Sequence, residues 1–130
     1  MCLFCDIVAN KIPAYKIYED DNYLAILDIS QTTYGHSLVI PKEHYDNYLL
    51  MPHDKAGELM SLTNKIANKL VDKLDAKGCN ILTNVNEIAG QSIKHTHIHI
   101  IPRYDENDTV SFKFNENKYD LNEILNKLNA

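Results

Sequence analysis

Gly90-Gln91-Ser92-Ile93-Lys94-His95-Thr96-His97-Ile98-His99-Ile100-Ile101-Pro102 carries three of the six histidines of the chain at every second position. Side chains alternate across a strand, so an extended His95–Ile101 segment puts His95, His97 and His99 on one face. Thr96, Ile98 and Ile100 then point the other way, into a core. Three solvated surface histidines are the plain reading, but a purely structural face is more cheaply built from Thr or Lys. A metal held by these three alone meets a geometric objection. Residues two apart on a strand lie about 6.6 Å apart and the outer pair about 13 Å, against zinc–nitrogen bonds of about 2.0–2.1 Å. Two neighbours could share an ion; all three could not. The third reading is a nucleophile with flanking helpers. A neutral imidazole has a free lone pair near pH 7, and attack on phosphorus splits a difficult hydrolysis into two displacements. The second ring nitrogen must be held by an acceptor, and the middle residue is best placed for the task.

Working outward, the residues around Phe4 to Ala9 suit a short helix. Tyr15–Glu19 alternates like an edge strand, and Asp20-Asp21-Asn22 supplies a turn before a more buried strand over Tyr23–Ile29. After the break at Gly35 a third strand runs His36–Ile40, stopped by Pro41. Leu59, Leu62, Ile66, Leu70 and Leu74 recur at helical spacing, predicting one long helix over 52–76 with Lys77-Gly78 as its stop. Cys79–Thr83 reads as a fourth strand, 84–91 as a loop, and His95–Ile101 as a fifth strand ended by Pro102. Asp120 and Glu123 form a capping pair for a short amphipathic C-terminal helix. Hairpin-like strands with a single long helix predict an α+β fold built on a largely antiparallel sheet.

With 130 residues, no linker and no repeat, the chain reads as one domain, 1–130, with a variable tail over about 105–130. A net charge of −5 without a basic stripe argues against nucleic-acid capture through the backbone, leaving small anionic ligands held by local donors. No apolar run reaches membrane-spanning length and the first residues do not form a signal peptide. Three cysteines, Cys2, Cys5 and Cys79, do not make a disulfide framework. The expectation is a cytoplasmic protein with reduced thiols and no membrane partner.

The run H-x-H-x-H with two apolar residues behind it and G-Q-S in front resembles the signature of the histidine triad (HIT) superfamily. Tyr34-Gly35-His36-Ser37-Leu38-Val39-Ile40-Pro41-Lys42 is similar to its G-H-x-L-V-x-P-K strand. Asp28-Ile29, eight residues before His36, matches its D-I pair, and Asn84 matches a polar position seven before Gln91. The spacing of these blocks agrees over nearly the whole chain. The resemblance, closest to the bacterial-type histidine triad nucleotide-binding proteins and nucleoside phosphoramidases, implies a five-stranded antiparallel sheet that pairs in a homodimer into ten strands. It implies that His97 is the nucleophile, with His36 and His99 positioning phosphate and setting protonation and the His95 carbonyl holding the second ring nitrogen. It places Gln91 and Ser92 at the phosphate or leaving group, Asp28 and Ile29 at the nucleoside, and Asn84 on the phosphate side. The implied substrate is a purine nucleotide cleaved at the α-phosphate through a nucleotidyl-histidine.

Ser92 favours a nucleoside phosphoramidate or aminoacyl adenylate as substrate, while Ile101-Pro102-Arg103 keeps dinucleoside polyphosphates open. A non-catalytic nucleotide sensor, distinguished by binding without turnover, is the reading from another class; a zinc-dependent hydrolase is a third. Cys2-x-x-Cys5 gains meaning from the same resemblance. Some bacterial-type members bind zinc through such a pair, a histidine at the position of His44, and the first triad histidine, here His95, which implies a structural zinc site. Two thiolates and two imidazoles make a closed tetrahedral set.

Overall fold

The computed structural model describes residues 2–130. Its elements are α1 (Leu3–Val8), β1 (Lys16–Glu19), β2 (Tyr23–Leu27), β3 (Ser37–Pro41), α2 (His53–Lys73), β4 (Gly78–Leu82), β5 (Ile98–Arg103) and α3 (Leu121–Leu128). The five strands form one antiparallel sheet in the order β1-β2-β3-β5-β4. The expected α+β architecture is therefore present. The chain leaves the sheet at β3, crosses it along α2, returns at the edge as β4 and fills the gap with β5.

Alternation along β2 and β3 supplies both faces of the sheet. Tyr23, Ala25 and Val39, with Ile98 and Ile100 of β5, face α2, where they pack on Leu59, Leu62, Ile66, Ala67 and Leu70. Leu24, Ile26, Leu38 and Ile40 face the other way and pack on Phe4 and Ile7 of α1. The two covers are unequal. The 21-residue α2 roofs its side of the sheet, whereas the 6-residue α1 covers only part of the opposite side. The uncovered part is the face to which His97 and His99 belong.

The β5 ladder starts later than sequence reading predicts. Pairing with β3 begins at Val39 opposite Ile98, so His95 and His97 precede the strand. His95 turns its ring inward and donates from Nε2 to the carbonyl of Pro41 at 2.8 Å. The Thr96 amide donates to Tyr45 O at 2.8 Å. These bonds satisfy the backbone that a ladder would otherwise use.

Pro41 and Pro102 do not stop their strands either. Each lies where its strand has run past one neighbour, so the missing N–H costs no ladder bond. A side chain takes each exposed carbonyl: His95 for Pro41, and the Thr33 hydroxyl for Pro102 at 2.6 Å. The helix predicted over 52–76 spans His53–Lys73. Asp75 adopts a left-handed φ of 56° and Ala76 N–H returns to Val71 O, so the turn falls before Gly78 rather than on it. The strand expected over Tyr23–Ile29 ends at Leu27, which frees Asp28 and Ile29 for the loop.

Gly35 is required where it stands. Its φ is +93°, and a Cβ there would lie 2.3 Å from Leu74 Cδ1 at the end of α2. Gly35→Ala is expected to cost about 1–3 kcal/mol in a urea titration, from left-handed strain plus displacement of Leu74. An unchanged midpoint would show that the loop before His36 is not set by this contact.

Candidate active site and metal cluster

The uncovered face forms a crevice of about 400 Å³. Its walls are Leu3, Phe4 and Ile7 of α1, the Ile12-Pro13-Ala14 connection, and the end of β2 with Asp28 and Ile29; Ser92, His97 and His99 close it. Ile29 is 87% exposed and presents an apolar surface at the rim. His97 and His99 thus lie at the end of a mostly apolar groove, an arrangement suited to a flat ligand with one polar end.

Hydrogen bonds fix the tautomer of each triad histidine. His97 is buried, and its Nδ1–H donates to the carbonyl of His95 at 2.7 Å. A ring nitrogen facing a carbonyl must carry the proton, so Nε2 keeps a bare lone pair. Burial also lowers the affinity of His97 for a second proton, which keeps that lone pair available near neutrality. Phe4 packs edge-on at 5.0 Å between ring centroids, and Thr83 donates to the His97 carbonyl at 2.8 Å. Ring and backbone are both held.

His36 and His99 form a relay beside it. The Thr32 amide donates to His36 Nδ1 at 3.3 Å, so His36 carries its proton on Nε2. That proton is given to His99 Nδ1 at 2.9 Å, leaving the His99 proton on Nε2. His99 therefore offers a donor on the crevice side, next to the lone pair of His97. Burial, then repulsion from His97 and His36, pushes His99 down to about 4, so it stays neutral at physiological pH. Asp28 Oδ2 stands 3.6 Å from His36 Nε2, while Oδ1 accepts from the Ser30 amide at 2.8 Å. One oxygen caps the turn, and the carboxylate borders the crevice.

The depressed His99 value has a sign that can be worked out. An unfolded chain takes up this proton near pH 6.5 and the folded chain only near 4. The stability from keeping His99 neutral is full above 6.5 and is lost progressively as pH falls towards 4. Wild type should therefore lose part of its advantage over His99→Asn in urea midpoints across that window. A constant difference would mean His99 titrates alike in both states.

Three residues singled out in the sequence sit differently from the triad. Gln91 accepts from the Asn86 amide through Oε1 and donates through Nε2 to Asp46 O and Ile93 O, so both amide hydrogens are occupied within the loop. Asn84 donates to Gly90 O at 3.3 Å, behind the loop and outside the crevice lining. Arg103 bonds Asp108 and Asn80 and points away from the site. Ser92 is exposed at the rim, and its hydroxyl has no protein partner among the described residues. Phe4, Ile7 and the Ile12–Ala14 wall were not legible as site residues, although Phe4 and Ile7 at a spacing of three were the available signal.

The cluster of Cys2, Cys5, His44 and His95 has its four donor atoms within 4.8 Å of one another. Cys2 Sγ is 3.3 Å and Cys5 Sγ 3.5 Å from His95 Nδ1, Cys5 Sγ is 3.3 Å from His44 Nδ1, and the two Nδ1 atoms are 3.0 Å apart. Tetrahedral bonds of zinc length place such donors about 3.3–3.6 Å apart, so the set is close to formed. The tautomers agree. His95 donates from Nε2 to Pro41 O, and His44 Nε2 faces Asp46 Oδ1 at 2.8 Å, so both Nδ1 atoms present lone pairs to each other. Facing lone pairs at 3.0 Å repel unless a cation lies among them. Burial, with a contribution from Cys2, raises the Cys5 thiol to about 11. Asp28, His36 and His99 also converge, but Thr32 holds the His36 proton on Nε2, the atom a metal would need. That group is a hydrogen-bond relay.

The HIT domain model matches residues 9–106. The protein named Protein hit from Bacillus subtilis is 48% identical over 107 residues, covering 82% of this chain and 74% of that protein. Adenylylsulfatase HINT3 from Arabidopsis thaliana is 43% identical, covering 78% of this chain and 52% of its own length. A HIT family protein from Bacillus anthracis has a crystal structure with a TM-score of 0.92 at 40% identity, covering 98% of this chain and 92% of that one. A Zn-bound histidine triad family protein from Mycobacterium smegmatis superposes with a TM-score of 0.79 at 38% identity, over 89% of this chain and 84% of that one. Fold and sequence over most of the chain are thus shared with proteins of one family. The chain belongs to the HIT domain family.

Proposed function

We propose that this protein is a nucleotide hydrolase in which His97 attacks the α-phosphate of a purine nucleoside phosphoramidate or aminoacyl adenylate. The observation that carries the reading is the buried His97 ring, with Nδ1 committed to the His95 carbonyl and Nε2 left free beside the crevice. In the first step a bond forms between His97 Nε2 and phosphorus while the bond from phosphorus to the leaving nitrogen or oxygen breaks. The departing group takes its proton from a donor at the rim, for which Ser92 is placed. His99 Nε2–H stabilises the charge that develops on the phosphoryl oxygens. Water then attacks phosphorus, the Nε2–phosphorus bond breaks to restore neutral His97, and the proton that water loses returns to Ser92. The apolar walls take the base and Asp28, with Ile29 above it, takes the ribose.

The similarity to a plant adenylylsulfatase supports hydrolysis at a nucleotide α-phosphate. Asn84 and Gln91 act on this reading by shaping the loop that carries Ser92; reaching phosphate would require Gln91 to give up a loop bond. Cleavage of dinucleoside polyphosphates uses the same chemistry and is the second reading. We further infer one structural Zn²⁺ per chain on Cys2, Cys5, His44 and His95, in keeping with the zinc-bound relative. The ion orders α1 against the triad strand and takes no part in bond making. The 130 residues are read as one domain in a cytoplasmic homodimer, the free edge of β4 serving to join two sheets into ten strands. Among the described residues no helix is long and apolar enough to cross a membrane.

Mixing the protein with an adenosine phosphoramidate, quenching in mild base and weighing the intact chain tests the chemistry. A gain of one adenylyl group with turnover supports the reading. Tight binding with neither adduct nor turnover would replace it with a nucleotide sensor.

A further inference from the structure

Ser92 stands where cavities meet. On one side is the crevice holding His97 and His99. On the other is a hollow of about 700 Å³ lined by Asn86, Glu87, Gly90, Gln91, Ser92 and Lys94. Because Ser92 lines both, a substrate with its α-phosphate at His97 and its base in the crevice has a path for its leaving group past Ser92 into this second space. Lys94 lines that hollow and also a third one that borders Ser92. No other Lys or Arg is among the described residues lining any of the three.

The charge on Lys94 is uncommitted. Among the described residues its ammonium makes no hydrogen bond and no ion pair, whereas Arg103, Lys16 and Lys42 are each held by an acidic side chain. Two acidic groups line these hollows without pairing with it: Asp46, which faces His44, in the third, and Glu87 in the second. Its backbone is well placed, because the adjoining His95 is anchored to Pro41 and the metal-ligand cluster. A protein of net charge −5 thus sets a free cation on a fixed segment beside the exit path.

Resting on the assignment of His97 and on the second, polyphosphate reading above, we propose that Lys94 is the specificity residue for the leaving group and favours one that carries negative charge, such as a polyphosphate. An ammonium near a polyanion at the protein surface gains Coulomb energy that a neutral amine leaving group does not offer. Selection therefore acts on the anionic substrate alone.

The test compares kcat/KM for a diadenosine polyphosphate and for an adenosine phosphoramidate with an uncharged amine, in wild type, Lys94→Gln, Lys94→Glu and Lys94→Arg. Lys94→Gln should lower the polyphosphate value about tenfold and change the phosphoramidate value less than about twofold, Lys94→Glu should lower the former further, and Lys94→Arg should restore it. Equal effects on both substrates, or no effect on the polyphosphate, would overturn the proposal. Equilibrium binding of AMP against adenosine tetraphosphate separates this inference from the catalytic one. A wild-type preference for the longer chain that disappears in Lys94→Gln supports the role of Lys94 even if neither substrate turns over. Absence of any such preference removes it.

Discussion

His97→Ala is expected to lower kcat/KM for an adenosine phosphoramidate by about 10⁴-fold and to abolish the covalent adduct, with substrate affinity reduced far less. The size of the effect follows from the role: loss of a nucleophile closes the two-step route, and only binding and charge stabilisation by neighbours survive. His97 contacts Phe4 and lies 7% exposed, so the alanine variant also leaves a small void. The glycine variant provides a second check, and near-UV circular dichroism with a nucleotide titration shows whether the crevice persists. Turnover surviving in either folded variant would place the nucleophile elsewhere. His99→Asn should give an intermediate loss, because it removes a donor to the phosphoryl group without removing the bond-forming atom.

The zinc cluster carries the second large effect. Native mass spectrometry should find about one zinc per chain in wild type and almost none in a Cys2→Ser, Cys5→Ser double variant. That variant should also melt on the order of 10 °C lower, the equivalent of about 3 kcal/mol for a domain of this size. Two consequences combine. Facing imidazole lone pairs lose their common ion, and α1 loses the tether that presses Phe4 against His95 and His97. Since α1 is one wall of the crevice, KM for nucleotide should rise while kcat, set by His97 and His99, changes less. Full zinc occupancy in the double variant would sink the assignment. An unaltered melting temperature with zinc lost would confine the ion to a bystander role.

The alternating apolar and histidine residues were enough to place Ile98 and Ile100 in the core and His99 on the opposite face, because a strand has a period of two. His95 and His97, by contrast, precede the ladder and are held by the Pro41 carbonyl and the His95 carbonyl. The i, i+3, i+4 leucines determined α2 in the same way, and the turn residues between apolar runs separated β1, β2 and β3. Family blocks around Asp28, His36, Asn84 and His97 carried the resemblance, since all four stand at the family's spacing.

Tertiary structure decided which hydrogen-bond partners each histidine meets, near or distant along the chain. Which nitrogen of His97 is free follows from its bond to the His95 carbonyl, and the proton of His36 follows from the Thr32 amide. The same test separates the two convergent clusters: His44 and His95 turn lone pairs inward and suit a metal, whereas His36 turns a proton inward and does not. The unequal roofing by α1 and α2, which opens the crevice, is a matter of how much area each helix covers once folded. Local sequence determines where a strand or helix can form, because periodicity acts through near neighbours. The His36–His99 relay, the anchoring of His95 on Pro41 and the His44–His95 pair of the ion site join atoms more than 30 residues apart, and only the closed fold brings those together.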